Sequence, residues 1–493
     1  MKNYIKIGLL AGVMAFTACE DELDNPPYGV LTQDEADDTP TITSMENTVR
    51  SSYDLLSNRL NILGDWNWAG GLVFQNDYIL QDIASDDMEK KWVTDGDQPW
   101  MDEINNFTFT STNGGPNGLW KYNYEAIKRL NTVLEHLNKD NIEEITGITT
   151  ERKNQLKGEA YFLRSYYYFS LVTNFGDVPL VLQPIKTFEQ SFEVAVRAPK
   201  EQVWEQIKAD LVIAKGLLPN TKYSSETEKW RVSKGAVIAL QAKSELYTEN
   251  WSAVPTLVDE LGPLGFSLNT NYFDSFRTSS EFNENEVIFC FDHQTNATPR
   301  RGNGICAPLG WGFFAPSSDF LAAFEPNDPR LLYTVNVGPQ NVNKMLGSLD
   351  GLNKGNDDAP NNKIYMRYAD ALLWKAEALL KTGDHAGAIA IINQIRERAR
   401  TTVTADGDFA PAGTLPARPS STDTATVMDW LIHERRVELG FENQRMLDLK
   451  RWGIAKEVLQ AHGKNFQDKH YLYPIPQSEI DVSAGTLTQN PGY

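Results

Sequence analysis

Apolar residues recur at helical spacing along much of the chain. One stripe consists of Ile127, Leu130, Leu134 and Leu137, and a second of Val203, Ile207, Leu211, Ala214 and Leu218. Residues three and four positions apart share one face of a helix. The pattern predicts helices at about 119–138, 152–174, 201–218, 232–249, 365–382 and 385–400, with a less regular one near 426–445.

The stretch "KTGDH" separates two of these stripes. Gly383 suits the end of one helix, and Asp384 suits the N-cap of the next. The pair predicts a helical hairpin of the tetratricopeptide type, and such a hairpin must stack on others to cover its apolar face. We therefore expect a mostly α fold, in which a tetratricopeptide-like helical-hairpin scaffold carries long irregular loops.

Two long regions interrupt the helical pattern, at 64–118 and about 262–362, and both are rich in Gly, Asn, Asp, Pro and aromatic residues. They are too long for ordinary connections, and loops on a rigid scaffold commonly carry recognition. We expect one domain over 41–493, with the scaffold at about 41–62, 119–261 and 363–460 and the binding face on the two loop-rich regions.

The N-terminus has the layout of an export signal. Lys2 and Lys6 precede an apolar stretch at 7–18 that ends at Cys19. A bilayer span needs about 20 apolar residues, so this stretch fits a signal peptide instead. The end of the stretch resembles a bacterial lipobox, which predicts removal of 1–18 and acylation of Cys19. An ordinary signal peptide followed by a chance cysteine is the alternative. Residues 19–40 then form an acidic tether.

The net charge of the chain excludes some classes of binding partner. The chain has 46 basic and 66 acidic residues, a net charge of −20, so it repels nucleic acid and anionic lipid headgroups. A content of 41% hydrophobic and 11% aromatic residues excludes a disordered chain. Besides Cys19, only Cys290 and Cys306 are present, and they could form a disulfide or remain small buried thiols.

Catalytic motifs are absent from the sequence. "HERRVE" at His433 is not H-E-x-x-H, "HGKN" at 462–465 lacks the rest of a phosphate-binding loop, and the six histidines show no metal-ligand spacing. We expect no enzyme and no cofactor. Acid pairs that could serve a glycosidase arise by chance in so acidic a chain. Calcium stays open at the acidic stretch of Asp95, Asp97, Asp102 and Glu103, which misses the EF-hand spacing.

Four stretches together resemble one family. They are "GEAYFLRSYYYFSLVTNFGDVPL" at 158–180, "RYADALLWKAEALL" at 367–380, "ERRVELGFENQRMLDLKRWG" at 434–453 and "YPIPQSEIDVSAGTLTQNPGY" at 473–493. In this order they resemble the SusD/RagB family of outer-membrane nutrient-binding lipoproteins, as do "SDDMEKKW" and "NFTFT". The resemblance implies a lipid-anchored protein on the outward face of the outer membrane, which caps a SusC-like TonB-dependent transporter. The cargo of such pairs is mostly glycan and in a minority peptide.

The charges of these motifs are interpreted as structural. The charged residues alternate in sign, and helical spacing allows them to pair with one another; they are Arg435, Arg436, Glu438, Arg445, Asp448, Lys450 and Arg451.

The acidic run at 20–22 resembles the signal by which Bacteroidetes lipoproteins reach the cell surface.

A sugar site needs aromatic faces and planar polar groups on irregular loops. Loop segments that combine them with Gly and Pro predict these ligand-binding residues: Asp65, Asn67, Trp68, Trp92, Trp100, Trp311 and Phe313. Trp100 and Trp311 are the first candidates, and core packing beneath the loops is the alternative for each ring. Four other tryptophans lie on or beside helical stripes and are interpreted as structural: Trp120, Trp204, Trp374 and Trp452.

The sequence therefore predicts a glycan-binding lipoprotein that feeds a transporter. A peptide-binding lid of the same architecture is the alternative, and a lid without ligand affinity is a third. A flat aromatic platform would favour sugar, whereas a deep groove with exposed backbone edges would favour peptide.

Overall fold

Antiparallel helices form the body of the protein. The structure is a computed structural model that describes residues 40–57, 76–91, 98–220, 228–297, 301–338 and 341–493. In the first half of the chain the helices are α1 (Ile42–Asp54), α2 (Asn76–Tyr78), α3 (Pro99–Asn106), α4 (Gly114–Leu137), α5 (Ile142–Thr146), α6 (Thr150–Phe175), α7 (Phe188–Val194), α8 (Lys200–Leu217), α9 (Lys234–Tyr247) and α10 (Ala253–Asp259). A π-helix at Ile79–Ile83 continues α2, and a 3₁₀ turn at Leu55–Ser57 continues α1.

The second half begins with short helices and ends with long ones. They are α11 (Cys306–Trp311), α12 (Ser318–Ala322), α13 (Arg330–Thr334), α14 (Asn343–Leu346), α15 (Tyr368–Lys381), α16 (His385–Thr401), α17 (Thr424–Leu439), α18 (Arg445–Arg451), α19 (Ala455–Ala461) and α20 (Gln477–Val482). Short 3₁₀ helices lie at Gly262–Leu264, Tyr272–Ser275, Thr278–Ser280 and Asp468–Tyr471.

The described strands are short and pair two by two, all antiparallel. They are β1 (Met88–Lys90) with β5 (Phe314–Pro316), β2 (Val178–Pro179) with β3 (Arg197–Ala198), β4 (Val287–Phe291) with β8 (Lys363–Arg367), and β6 (Val335–Asn336) with β7 (Asn341–Val342). The mostly α fold class predicted from the sequence is confirmed.

The predicted hairpins are present: α4 packs on α6, α8 on both α6 and α9, and α15 on α16. At the turn between α15 and α16, Gly383 has φ +91°, and the Asp384 carboxylate accepts a hydrogen bond from the Gly387 N–H at 2.8 Å. Glycine adopts that φ without steric cost, which explains why the turn is so tight.

Two helix boundaries differ from the prediction. Helix α4 begins at Gly114 rather than near 119, because the Asn113 side chain caps it through the Gly115 N–H at 2.9 Å. The helix predicted near 426–445 ends at Leu439. Phe441 and Asn443 then have φ of 62° and 60°, which an α-helix cannot accommodate. The chain turns there, and α18 starts in a new direction.

A cluster of buried ion pairs joins the C-terminal helices to the rest of the fold. This arginine cluster consists of Arg330, Arg367, Arg398, Glu286, Glu438 and Glu442, all almost fully buried. Glu438 accepts from Arg330 at 3.0 Å and from Arg367 at 2.8 Å, and it also pairs with Arg398. Burial by itself would raise the pKa of Glu438, but Arg398, Arg367 and Arg330 hold it well below its usual range.

The motif charges pair with one another only in part. Asp448 binds Arg451 at 2.8 Å, at the helical spacing that the sequence predicts. It also binds Arg435 at 2.8 Å, but Arg435 lies 13 positions earlier, on α17 rather than on the helix of Asp448. Glu438, Arg436 and Arg445 instead reach acids and arginines from distant segments. Helical spacing predicts which charges can pair along one helix, but it does not predict ion pairs with residues from other parts of the fold.

Candidate functional site

Strands β1 and β5 join the two regions that the sequence predicts to carry the binding face. Their register places Met88 opposite Pro316 and Lys90 opposite Phe314, and the Lys91 N–H donates to the Phe313 carbonyl at 2.6 Å. We call this pair the ribbon. It brings residues 88–91 beside residues 313–316.

Two consecutive aspartates position the ribbon against the C-terminal helices. Arg445 binds Asp86 at 2.8 Å, and Arg436 binds Asp87 at 2.7 Å. The backbone carbonyls of the same two aspartates accept hydrogen bonds from Ser317, at 2.6 Å from its hydroxyl and 2.9 Å from its N–H. These buried contacts hold the start of β1 and the end of β5 in one place, so the ribbon is fixed to the scaffold.

An exposed tryptophan stands at the end of the ribbon. Trp311 is the last residue of α11 and is 45% exposed, which is unusual for so large an apolar side chain. Its ring packs edge-on against Phe313, with centroids 5.7 Å apart. Gly312, between them, has φ +82° and so permits the sharp turn that places both rings together.

Polar groups surround this aromatic pair. The Lys90 ammonium lies 5.2 Å from the centre of the Phe313 ring and donates to the Lys91 carbonyl at 2.8 Å. The Asp102 carboxylate, on α3, lies 3.8 Å from the same ammonium and is partly exposed. A ring face beside a carboxylate can stack on an apolar face of a ligand while accepting hydrogen bonds from its hydroxyl groups.

The prediction of an exposed ring at Trp100 is wrong. Trp100 lies on α3 and is 4% exposed, and its indole N–H donates to the Gln98 side chain at 2.8 Å. Its backbone carbonyl accepts from Asn113 at 3.0 Å, and its ring packs near Gly115 at the start of α4. The short helix turns the ring into the core, which was the alternative that the sequence left open. Trp100 is not part of the surface that we assign below.

The other predicted ligand-binding residues, Asp65, Asn67, Trp68 and Trp92, lie outside the described residues. Lys91, next to Trp92 in the chain, is bonded to Phe313 at the ribbon. The role of these four residues stays a prediction. Cys19 also lies outside the described part.

The scaffold tryptophans pack as the sequence predicts. Trp374 is 0% and Trp120 3% exposed. Trp204 packs edge-on against Phe169 at 5.5 Å, and the Trp452 indole donates to Glu377 at 3.0 Å. Exposure therefore separates Trp311 from each of these rings.

Cys290 and Cys306 are both buried, and neither is part of a disulfide. Cys290 lies on β4, whereas Cys306 starts α11 and its thiol donates to the Met345 carbonyl at 3.3 Å. Burial raises the pKa of the Cys306 thiol to about 12. Of the two possibilities that the sequence left open, a disulfide or two buried thiols, the structure has two thiols.

One group of potential metal ligands occurs among the described residues: Asp86, Asp319 and His462. Arg436 already binds Asp86 at 3.0 Å and Asp319 at 2.7 Å. A cation would have to displace this guanidinium, so the group fits a salt bridge better than a metal. Of the acids predicted as a calcium site, Asp95 and Asp97 lie outside the described residues, and Glu103 accepts from Asn113 at 2.8 Å.

Sequence reasoning missed Lys90 as part of the site and overlooked what Asp86 and Asp87 do. Glu89 is exposed while Met88 and Lys90 are buried, which is the alternation of a strand, but three residues are too few to recognise it. Within the described part of the chain, the helices are too short or too polar to cross a membrane.

Comparison with known proteins identifies the fold and the family. Residues 336–493 match the family model described as "SusD family", and residues 37–246 match the one described as "Starch-binding associating with outer membrane". The chain is 23% identical to SusD-like protein P2 of Formosa agariphila, and the alignment covers 100% of both chains.

Solved structures have the same architecture. A structure described as a laminarin binding SusD-like protein is 25% identical and has a TM-score of 0.75, covering 92% of this chain and 100% of that one. Surface glycan-binding protein A from Bacteroides thetaiotaomicron, in complex with laminarihexaose, is 22% identical with a TM-score of 0.71 and the same coverage. With two family models over most of the chain, a relative aligned along its whole length and this shared fold, the protein belongs to the SusD/RagB family.

Proposed function

We propose that this protein is a cell-surface glycan-binding lipoprotein that captures oligo- or polysaccharide and delivers it to a partner SusC-like TonB-dependent outer-membrane transporter. The observation that carries the proposal is the exposed Trp311 at the end of a ribbon that is fixed to the scaffold. Membership in a family of glycan-binding, outer-membrane-associated proteins supports the same conclusion.

The chemistry of the surface favours sugar. The C–H face of a sugar ring stacks on an indole, and its hydroxyls bond to carboxylates and amides. Trp311 supplies the ring, Phe313 supports it from the side, and Asp102 lies beside Lys90 within the same neighbourhood. Since the ribbon holds these groups before any ligand arrives, little ordering is needed on binding.

The glycans to test first are glucans. Laminarin and laminarihexaose appear in the descriptions of two solved relatives, and starch in that of a family model. Affinity gel electrophoresis and calorimetry of the soluble chain with laminarin and amylopectin test the proposal. Trp311→Ala should abolish retention, whereas Phe409→Ala, which removes a 72% exposed ring elsewhere on the surface, should bind normally.

The same assay also tests a peptide-binding lid and a glycan site in another place. Retention of short peptides and of no glycan would favour the peptide-binding lid. Normal glycan retention by Trp311→Ala would place the site elsewhere. Asp65→Ala and Asn67→Ala should each weaken binding if these side chains supply further polar contacts.

Export is a separate part of the proposal. Cys19→Ala should leave the protein unanchored, and neutralising Glu20, Asp21 and Glu22 should trap it on the periplasmic side of the outer membrane. Surface labelling that does not change when the three acids are neutralised would count against their role.

A permanent lid over a transporter would bury more than about 2,000 Å². Extraction in mild detergent should therefore recover the two proteins together. Recovery of a free monomer would argue against a permanent complex.

A further inference from the structure

A large groove lies away from the ribbon, along helix α4. Its volume is about 1300 Å³. Its walls are α4 from Trp120 onward with Lys139 just beyond its end, the segment 179–195, and helix α20 with the residues that follow it. Nothing proposed above for glycan binding uses this surface.

One wall of the groove is apolar and exposed. Helix α7 contains no buried residue, and it lines the groove with Phe192, whose ring centroid lies 4.9 Å from that of the neighbouring Phe188. Phe188 itself is 76% exposed. Two further apolar lining residues are also exposed, Val482 of α20 at 71% and Ile185 at 47%. A helix that presents its apolar side chains to solvent lacks a packing partner.

The wall formed by α4 carries unpaired positive charge among the described residues. Glu125 is paired with Arg129 at 2.8 Å, and Glu135 with Lys186 at 2.7 Å. The ammonium groups of Lys128 and Lys139 have no ion-pair partner among the described residues, and both line the groove. Burial raises the pKa of Glu479, another lining residue, and so disfavours its negative charge. In a chain with a net charge of −20, this groove is a local basic surface.

The chain itself contains a complementary segment. Residues 20–39 have eight acidic side chains and no basic one, and Tyr28, Val30 and Leu31 lie in their centre. Acids would meet the free lysines of the groove, and the central apolar residues would meet the exposed wall of α7.

The described part of the chain begins near one end of the groove, so residues 20–39 can reach it. Glu46 on α1 pairs with Arg152 near the start of α6, and Tyr53 bonds to Glu159 further along, so α1 runs parallel to α6 and antiparallel to α4. The Ser51 carbonyl accepts from Arg129 of α4 at 3.0 Å. Ile42, the first residue of α1, lies about 14 Å before Ser51, which corresponds to the end of α4 near Leu137, so Pro40 lies just beyond that end.

The length of the segment also fits. Twenty extended residues reach on the order of 60 Å, and α4 from Trp120 to Leu137 measures about 26 Å. We propose that residues 20–39 bind along this groove, with their acids on Lys128 and Lys139 and their apolar centre on α7. The docked segment would fix the direction in which the chain leaves the folded body toward its N-terminus.

Zero-length carbodiimide cross-linking of the full chain from residue 20 onward tests the proposal, because the reagent joins an ammonium to a carboxylate only when they touch. Lys128 and Lys139 should link to Asp34, Glu35, Asp37 or Asp38. The Lys186–Glu135 and Lys456–Asp468 pairs, at 2.7 and 3.0 Å, are internal positive controls. Control links without any link from Lys128 or Lys139 to the segment would overturn the proposal.

Cross-linking a mixture of ¹⁴N- and ¹⁵N-labelled chains distinguishes links to the segment of the same chain from links to the segment of a second copy. Links within one chain support the proposal, and links only between chains contradict it. As an independent measurement, cleavage after Glu35 by a Glu-specific protease should accelerate several-fold in the Lys128→Glu/Lys139→Glu variant and in high salt. A matched Lys354→Glu/Lys381→Glu variant should cleave at the original rate, and equal rates in both variants would also overturn the proposal.

Discussion

The arginine cluster and the surface beside the ribbon both contain carboxylates next to cations, but the two regions differ in how much of those groups water can reach. In the cluster, Glu438 is fully buried and is surrounded by three guanidinium groups. At the ribbon, Asp102 and Trp311 are both partly exposed, and Trp311 leaves nearly half of its surface in water. Charges and rings that are fully paired hold the fold together, whereas those with open faces are available to a ligand.

The difference shows why the motifs and the site do not coincide. The long charged motif at 434–453 pairs most of its charges with one another or with groups from other segments, so it contributes geometry rather than binding. It reaches the ribbon through Arg436 and Arg445, which hold Asp87 and Asp86. Substitutions in the two regions should therefore have separable effects on stability and on binding.

Glu438→Gln should have the largest effect on stability. It leaves three buried arginines short of one negative charge, and breaking a buried ion pair costs about 3–5 kcal/mol. Chemical denaturation followed by circular dichroism measures the loss. Lys186→Ala, which removes the exposed pair with Glu135, is the control and should cost about 0–1 kcal/mol. A small effect at Glu438 would mean that the cluster does not hold the scaffold.

Trp374→Ala and Trp311→Ala should give opposite outcomes. Loss of the fully buried Trp374 should lower the free energy of unfolding by about 3–5 kcal/mol and leave glycan binding of the folded protein intact. Loss of the exposed Trp311 should abolish binding with a near-normal melting temperature. Equal destabilisation by both substitutions would show that Trp311 packs as core.

Gly310→Ala should reduce both the stability of the fold and the affinity for glycan. A Cβ at Gly310 would lie 2.1 Å from the backbone nitrogen of Gly355, so α11 and the turn at 351–355 must separate and Trp311 must move. We expect a cost of about 1–3 kcal/mol together with weaker glycan binding.

The control for this prediction is Gly216→Ala. A Cβ there has nothing within 4 Å, and the substitution should stabilise helix α8 by roughly 0.5–1 kcal/mol. Unchanged glycan affinity of Gly310→Ala would show that the ring position does not depend on this close approach.

Glu281→Gln should have the smallest effect at pH 5, where the folded carboxyl is neutral like the amide, and a larger one as the pH rises. Burial raises the pKa of Glu281 to about 8, opposed by the Asn362 N–H and reinforced by Asp292. A carboxyl whose pKa is raised in the folded state stabilises the protein below its unfolded pKa of 4.5 and loses that contribution as the pH rises to about 8. Wild-type stability should fall over this window, and the variant should fall less.

Unfolding curves at pH 5 and pH 8 measure this difference, with Glu397→Gln, an exposed carboxylate on α16, as the control. Identical slopes for the wild type and Glu281→Gln would contradict the assignment. Glu281 differs from Glu438 in lacking a surrounding arginine cluster, so the pair tests whether the cluster is what keeps a buried acid charged.

The sequence predicted the scaffold well because helical periodicity is a local property. The stripes around Leu130, Leu211 and Leu372 follow from residues three or four apart, and the Gly383–Asp384 turn follows from backbone preferences. The predicted ends were less accurate where a capping side chain or a left-handed residue decided them, as at Asn113 and Phe441.

The site was harder to predict, because exposure is not encoded by residue type. Trp100 and Trp311 are both tryptophans beside Gly or Pro, and the sequence treats them alike. The structure places one against the start of α4 and the other at the surface. Lys90 and Phe313 are distant in sequence and meet only because β1 pairs with β5.

The sequence by itself determined the helical hairpins, the acidic character of the chain and the resemblance to its family, since each depends on local pattern or composition. Only the tertiary structure decided which tryptophan faces solvent, that Cys290 and Cys306 are separate thiols, and which distant arginines neutralise Glu438. These outcomes depend on long-range packing, in which the environment of a side chain is set by segments far away in the sequence.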